Sequence, residues 1–197
     1  MGRLASLLGA VLLAAATWPG LASAQDASVH NRSLGSIAVH EIGGILVAGQ
    51  PTAADLALAR GEGIHRVINL RHASEPAGFD EPAEAARLGL EYISLPWSGP
   101  DELTDTVFDE VRALLRESPR PLLFHCASGN RVAAVWLPWR VLDEGADWDS
   151  ALAEAQQLGL RSPALEARAR AYVDQQSKLR CRLAAASPNT HTGGPCP

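Results

Sequence analysis

The stretch Pro121-Leu122-Leu123-Phe124-His125-Cys126-Ala127-Ser128-Gly129-Asn130-Arg131-Val132 reads as a buried strand, a loop of small residues and the start of a helix. Leu122 to Phe124 are continuously apolar, the pattern of a strand covered on both faces. Residues 132–142 are nearly all apolar and include Trp136 and Trp139, which predicts a helix buried on most sides and kinked at Pro138. That run is too short to cross a membrane. Cys126 therefore stands at a helix N-terminus, where the first amide N–H groups have no intrahelical partners. Together with the helix dipole these donors form an anion site. Small Ala127 and Ser128, with Gly129 and Asn130, let the backbone curl around a tetrahedral oxyanion. Arg131 offers a planar fork for two of its oxygens.

The same positive surroundings favour a thiolate. A free cysteine, with a pKa of about 8.5, is only slightly ionised at neutral pH, and cysteines at helix N-termini are generally more acidic. One geometry would then bind an anion and activate its attacker. The alternative is an inert cysteine at a strand end, since cysteine is among the most buried residue types. The succession of strand, cysteine, small residues, glycine, arginine and helix favours the reactive reading.

Outward from this stretch, strands alternate with helices. Ser36–His40 and Ile45–Ala48 read as a hairpin across Gly43-Gly44. Thr52, with Asp55 three residues on, reads as the cap of a helix to about Arg60. His65–Leu70 and Glu91–Leu95 read as strands, with a helix around Pro82–Leu88 between them. Val107, Val111, Leu114 and Leu115 share one face of an amphipathic helix. Two further helices are expected over about 149–158 and 163–176. The fold class is α/β: three layers, with a mostly parallel sheet of 4–5 strands and helices on both faces. Ligands in such sheets bind beyond the carboxyl ends of the strands, where Cys126 lies.

The chain starts with Met1-Gly2-Arg3, an apolar run from Leu4 to Ala16, and Ala22-Ser23-Ala24, the pattern of a cleaved export signal over residues 1–24. Residues 25–35 are polar and expected to be flexible, 36–180 form the domain, and 181–197 an irregular tail. The expected location is periplasmic or secreted, with no membrane attachment after cleavage. The formal net charge of −5, one unit more negative without Arg3, argues against a nucleic-acid binder. Three cysteines are too few for a disulfide framework. A Cys181–Cys196 bridge would be permissible after export and would stabilise by about 3 kcal/mol; the alternative leaves Cys196 in an unstructured tail. The histidines lack ligand spacing, so neither a metal nor another cofactor is expected. Trp97, Trp136, Trp139 and Trp148 read as core rather than as a stacking platform.

His125-Cys126, Gly129 and Arg131 resemble the signature loop of protein tyrosine and dual-specificity phosphatases. The region from about Ile45 to Leu160 is more closely similar to the bacterial phosphatase-like family found alone or fused to β-lactamase-like hydrolases. Gly49-Gln50-Pro51, Val67-Ile68-Asn69-Leu70-Arg71 with Glu75, and His125 to Val132 carry that resemblance. It implies a phosphatase-like fold, Cys126 as nucleophile, Arg131 as oxyanion ligand, and His125 ordering the loop and favouring its thiolate. The implied reaction is hydrolysis of a phosphoester through a phosphocysteine.

Two departures keep other readings open. The phosphatase loop normally has five residues between Cys and Arg, whereas four stand here, the spacing of rhodanese-type sulfurtransferases. Val132 occupies the position where phosphatases usually place Ser or Thr. A sulfurtransferase passing sulfur from a donor through a Cys126 persulfide is therefore the alternative enzyme. A module that binds oxyanions without turnover is the non-enzymatic one.

Phosphoester hydrolysis also needs an acid for the leaving oxygen. Asp101, in the loop after the strand ending at Leu95, is the candidate, with Glu102 and Asp105 behind it. The competing role for these residues is capping of the next helix, which Asp101 or Thr104 could do. Arg71 and Glu75 could line the pocket or form a surface ion pair.

Overall fold

The computed structural model describes residues 28–186. The expected signal segment 1–24 and Cys196 lie outside them. Six strands form one sheet in the order β1-β2-β3-β6-β4-β5. They are β1 (His30–Leu34), β2 (Ile37–Ile42), β3 (Ile45–Ala48), β4 (Arg66–Asn69), β5 (Glu91–Ser94) and β6 (Leu122–His125). β1, β2 and β3 pair antiparallel, with Ile42 opposite Ile45 across the Gly43-Gly44 turn. β3, β6, β4 and β5 are all parallel, so their carboxyl ends share one edge.

The helices are α1 (Ala53–Gly61), α2 (Glu81–Arg87), α3 (Gly99–Glu102), α4 (Asp105–Glu117), α5 (Asn130–Leu142), α6 (Trp148–Leu158) and α7 (Pro163–Ala186). Alternation along the buried strands divides the core into two layers. Leu46, Val67 and Leu123 pack with Leu56, Ala59 and Ala85 of α1 and α2. Val47, Ile68 and Phe124 pack on the opposite face with Phe108, Val135, Leu158 and Tyr172 of α4 to α7. Pro138 lies inside an unbroken α5, and Trp97, Trp136 and Trp139 are buried. Trp148 is only partly buried, with the Arg170 guanidinium 4.7 Å over its ring.

Three expectations at the margins are corrected. Residues 25–35 are not loose throughout, because His30–Leu34 form an edge strand and bring the sheet to six strands. Only Leu34 of that strand is buried, so backbone pairing holds it and no apolar alternation marks it. The Gly35-Ser36 turn that follows is tied to α1: Asp55, which completes the Thr52 capping box, also accepts the Ser36 N–H at 2.7 Å. These donors hold the Asp55 carboxyl below its ordinary range against the opposing effect of burial. At the other end, α7 continues to Ala186, ten residues past the expected stop. Its later turns leave the core and show no buried periodicity. Cys181, on that extension, is disulfide-bonded. Thirdly, residues 99–102 form a single helical turn rather than an open loop.

Candidate active site

Four segments meet at the carboxyl edge of the sheet: Gly49-Gln50-Pro51 after β3, residues 70–80 after β4, 95–102 after β5, and the Cys126 loop after β6. Backbone bonds stitch them together. Gln50 N–H donates to Ala127 O at 3.2 Å, Leu70 N–H to His125 O at 3.1 Å, and Trp97 N–H to Leu70 O at 3.3 Å. The Cys126 loop begins on Cys126 N–H, 3.4 Å from Ala48 O, and passes Gly49 through a bridge at Ser128.

Gly129 takes φ 85°, a left-handed conformation, and is the N-cap residue of α5. The first helical bond, Ala133 N–H to Gly129 O at 2.9 Å, leaves the amides of Asn130, Arg131 and Val132 ahead of the ladder. Asn130 turns away from the ring and accepts the Arg161 N–H at 2.9 Å, anchoring the loop to the α6–α7 connection. Ala127 and Ser128 are exposed and line a cleft of about 400 Å³ with Gln50 and His40. Cys126 is buried, 1 % exposed, and is the free cysteine among the described residues.

Arg131 is fixed by a carboxylate. Its Nη1 and Nη2 donate to the two oxygens of Glu75 at 2.7 and 2.6 Å. Nη1 also reaches Leu70 O and Trp97 O at 3.2 and 2.9 Å. The Arg131 pKa is raised, first by the Glu75 hydrogen bonds and further by its electrostatic interaction with Cys126, against the cost of burial. Arg71 is 6 % exposed, so the surface ion pair is not its role. Its Nε lies 3.4 Å from Glu75, Nη2 donates to Pro76 O at 2.7 Å, and Nη1 donates to Gln50 Oε1. Glu75 thus serves both arginines.

Glu81 is a second carboxylate in this network, and no motif announces it. At the first turn of α2 it reads only as a helix-start acid, yet it is 3 % exposed. It accepts from Gln50 Nε2 at 3.1 Å and Asn69 Nδ2 at 3.3 Å, and lies 2.7 Å from Nε2 of the fully buried His125. Its Oε2 receives both amides; Oε1 and His125 Nε2 form an ion pair by distance without the alignment of a hydrogen bond, and neither has another bonding partner. Arg71, Glu75, Phe79, Glu81 and Tyr92 border an adjoining cavity of about 470 Å³.

The three acids after β5 separate clearly. Thr104, not Asp101, caps α4, accepting the Val107 N–H. Asp105 pairs with Arg168 at 2.8 Å. Glu102 accepts from His72 Nε2 and Ser98 N–H, both at 2.7 Å, and these bonds, His72 first, hold it below the usual carboxylate range. Asp101 is exposed and makes no side-chain hydrogen bond or ion pair among the described residues. Among those residues no group of three or more His, Cys, Asp or Glu could hold a metal, and no helix is long and apolar enough to cross a membrane.

The Glu75 pair gives the site a pH dependence. The Arg131 hydrogen bonds, aided by the His72 N–H and Arg71 and opposed by burial, pull the Glu75 pKa from 4.5 to about 2. A depressed carboxylate stabilises the fold above its unfolded pKa, and the contribution is lost as pH falls from 4.5 through 2. Urea unfolding at pH 5 and pH 2.5 should show wild type losing about 2 kcal/mol more than Glu75→Gln, a value reduced for partial solvent screening.

Residues 42–140 match the family of the β-lactamase hydrolase-like protein, phosphatase-like domain. The chain belongs to that family. A β-lactamase hydrolase-like protein from Agrobacterium fabrum is 28% identical over 103 residues, 50% of this chain. The match spans 24% of that longer relative. Among solved structures, a DUF442 protein from Shewanella putrefaciens aligns with a TM-score of 0.60 and 18% identity, covering 72% of this chain and 95% of that one. A Cys→Ser form of TpbA from P. aeruginosa, solved with phosphotyrosine, aligns at 0.54 with 24% identity, covering 76% and 90%. The core catalytic domain of the PP-IP phosphatase SIW14 from S. cerevisiae aligns at 0.57 with 14% identity, covering 74% and 91%. These relatives share the protein tyrosine phosphatase-like fold.

Proposed function

We propose that this protein is a cysteine-dependent phosphatase-like hydrolase that acts on a phosphoester in an exported location. The observation that carries the reading is Arg131, locked by Glu75 in the first turn of α5, five positions after Cys126. A phosphoryl group seated in the loop would face the helix amides and the guanidinium, which stabilise charge as it develops. The Cys126 thiolate forms the S–P bond while the P–O ester bond breaks. The departing oxygen takes a proton from Asp101. Water then forms the new P–O bond as S–P breaks, giving its proton to the Asp101 carboxylate and releasing phosphate and thiolate. Asp101 is assigned because its neighbours Glu102 and Asp105 are already bonded. The phosphotyrosine complex of TpbA supports a phosphorylated substrate.

The loop spacing favours a second reading. Four residues separate Cys126 from Arg131, and buried Val132 offers no hydroxyl for breakdown of a phosphocysteine. A persulfide would need no such group. Intact-protein mass measurement after rapid quenching from an aryl phosphate, and separately from thiosulfate, separates the readings. We expect a phosphoryl gain that is absent in Cys126→Ser. A sulfur gain instead would assign the sulfurtransferase. No adduct with retained phosphate binding would leave a binding module.

A further inference from the structure

The cavity of about 470 Å³ beside Arg71 has the size of a small-ligand site and a lining of opposite character to the oxyanion loop. Three carboxylates border it, Glu75, Asp80 and Glu81, against one guanidinium, Arg71. That guanidinium has no donor nitrogen to spare for an anion. Its Nε faces Glu75, Nη1 donates to Gln50 and Nη2 to Pro76 O. The formal charge left facing a ligand is therefore negative, and the charge that fits it is positive.

Two further features narrow the ligand. Phe79 and Tyr92, both half-buried, border the same space. Tyr92 is anchored by the Asn69 amide, which donates to its hydroxyl at 2.7 Å. Aromatic faces attract a cation through the ring quadrupole, which a metal-binding cluster of oxygens would not need. Glu81 is 3 % exposed, and with the Gln50 and Asn69 amides both on Oε2, its Oε1 receives no hydrogen bond among the described residues. The start of α2 accounts for the sign of Asp80 and Glu81, since Asp80 caps that helix, but not for the aromatic walls beside them. An alkylammonium group meets all of these: positive charge, N–H donors for carboxylates and an apolar body for the rings. Glu75 also ties the cavity to the oxyanion loop. It borders the cavity and holds Arg131 at 2.7 and 2.6 Å, so the two spaces are one side chain apart.

We propose that this cavity binds a primary alkylammonium group, carried either on the phosphoester substrate or on a separate small molecule. Assigning that group to a substrate rests on the phosphoester reading; binding of the cation does not. Saturation-transfer NMR of the whole protein with butylammonium chloride should show saturable binding, with none for butanol or for matched sodium chloride. Phe79→Leu keeps an apolar side chain and removes the ring, and should weaken butylammonium by about fivefold or more. Asp80→Asn keeps a capping oxygen and removes one charge, and should weaken it by about threefold. Wild-type melting of each variant separates lost binding from lost fold. Turnover of aminobutyl phosphate against pentyl phosphate, its uncharged isostere, then identifies the source. A preference of about tenfold in kcat/KM that disappears in Phe79→Leu assigns the ammonium to the substrate. Equal turnover of the two esters, with butylammonium still bound, assigns it to a separate molecule. Absence of saturable butylammonium binding would overturn the proposal, as would binding unchanged in both variants. If neither ester is turned over while Phe79-dependent binding persists, the phosphatase reading fails and the cation site stands.

Discussion

Replacing Cys126 by serine should lower turnover of an aryl phosphate by about 10⁴-fold or more, while phosphate binding changes by less than about threefold. The asymmetry follows from where each part of the site comes from. Binding rests on the helix amides and on Arg131, which Glu75, Leu70 O and Trp97 O hold independently of the thiol. Attack rests on an ionised nucleophile. A hydroxyl would need a neighbouring base, and the nearest histidine, His125, is buried with its ring nitrogens on Glu81 and the Cys126 carbonyl. Asp101→Asn should act later in the reaction. It should cost about 10²–10³-fold on an alkyl phosphate and far less on p-nitrophenyl phosphate, whose leaving group needs little protonation. Equal losses on both substrates would remove Asp101 from the acid role.

Much of this site was legible because its first elements are local in sequence. Cys126, Gly129 and Arg131 lie within six residues, and strand and helix on either side carry strong apolar patterns. The carboxylates that fix them were harder to read. Glu75 contacts Arg131 across 56 positions and was as easily a surface charge, because nothing local distinguishes a half-buried loop acid from an exposed one. Glu81 reaches His125 across 44 positions from a helix start where an acid is ordinary. Only the parallel order β3-β6-β4-β5 brings these ends together. The edge strand His30–Leu34 escaped for a related reason: its stability lies in pairing with β2, and pairing leaves no compositional trace in a polar segment.

Gly129→Ala should be the most damaging single-methyl change in the domain, for two separable reasons. At φ 85° an L-residue pays roughly 1–2 kcal/mol in backbone strain. The added Cβ would also run into the carbonyl oxygen of Leu158, at the end of α6, which is backbone and cannot swing aside as a side chain can. The opposing surface is equally tight, since a Cβ on Gly159 would lie 3.1 Å from Ser128 O. The loop is therefore pressed against the C-terminus of α6 through two glycines, and the Asn130–Arg161 bond fastens the same contact. The expected total cost is about 3 kcal/mol, a fall of roughly 5–10 °C in Tm. Because relief requires moving the first turn of α5, vanadate binding should weaken as well. Gly145→Ala isolates the strain: Gly145 has a similar φ of 75° and nothing within 4 Å of the new methyl. It should lose only about 1 kcal/mol and bind vanadate normally. If the two variants melt together and bind alike, α6 does not brace the loop, and the geometry around Cys126 must be held by its ties to the segments after β3 and β4.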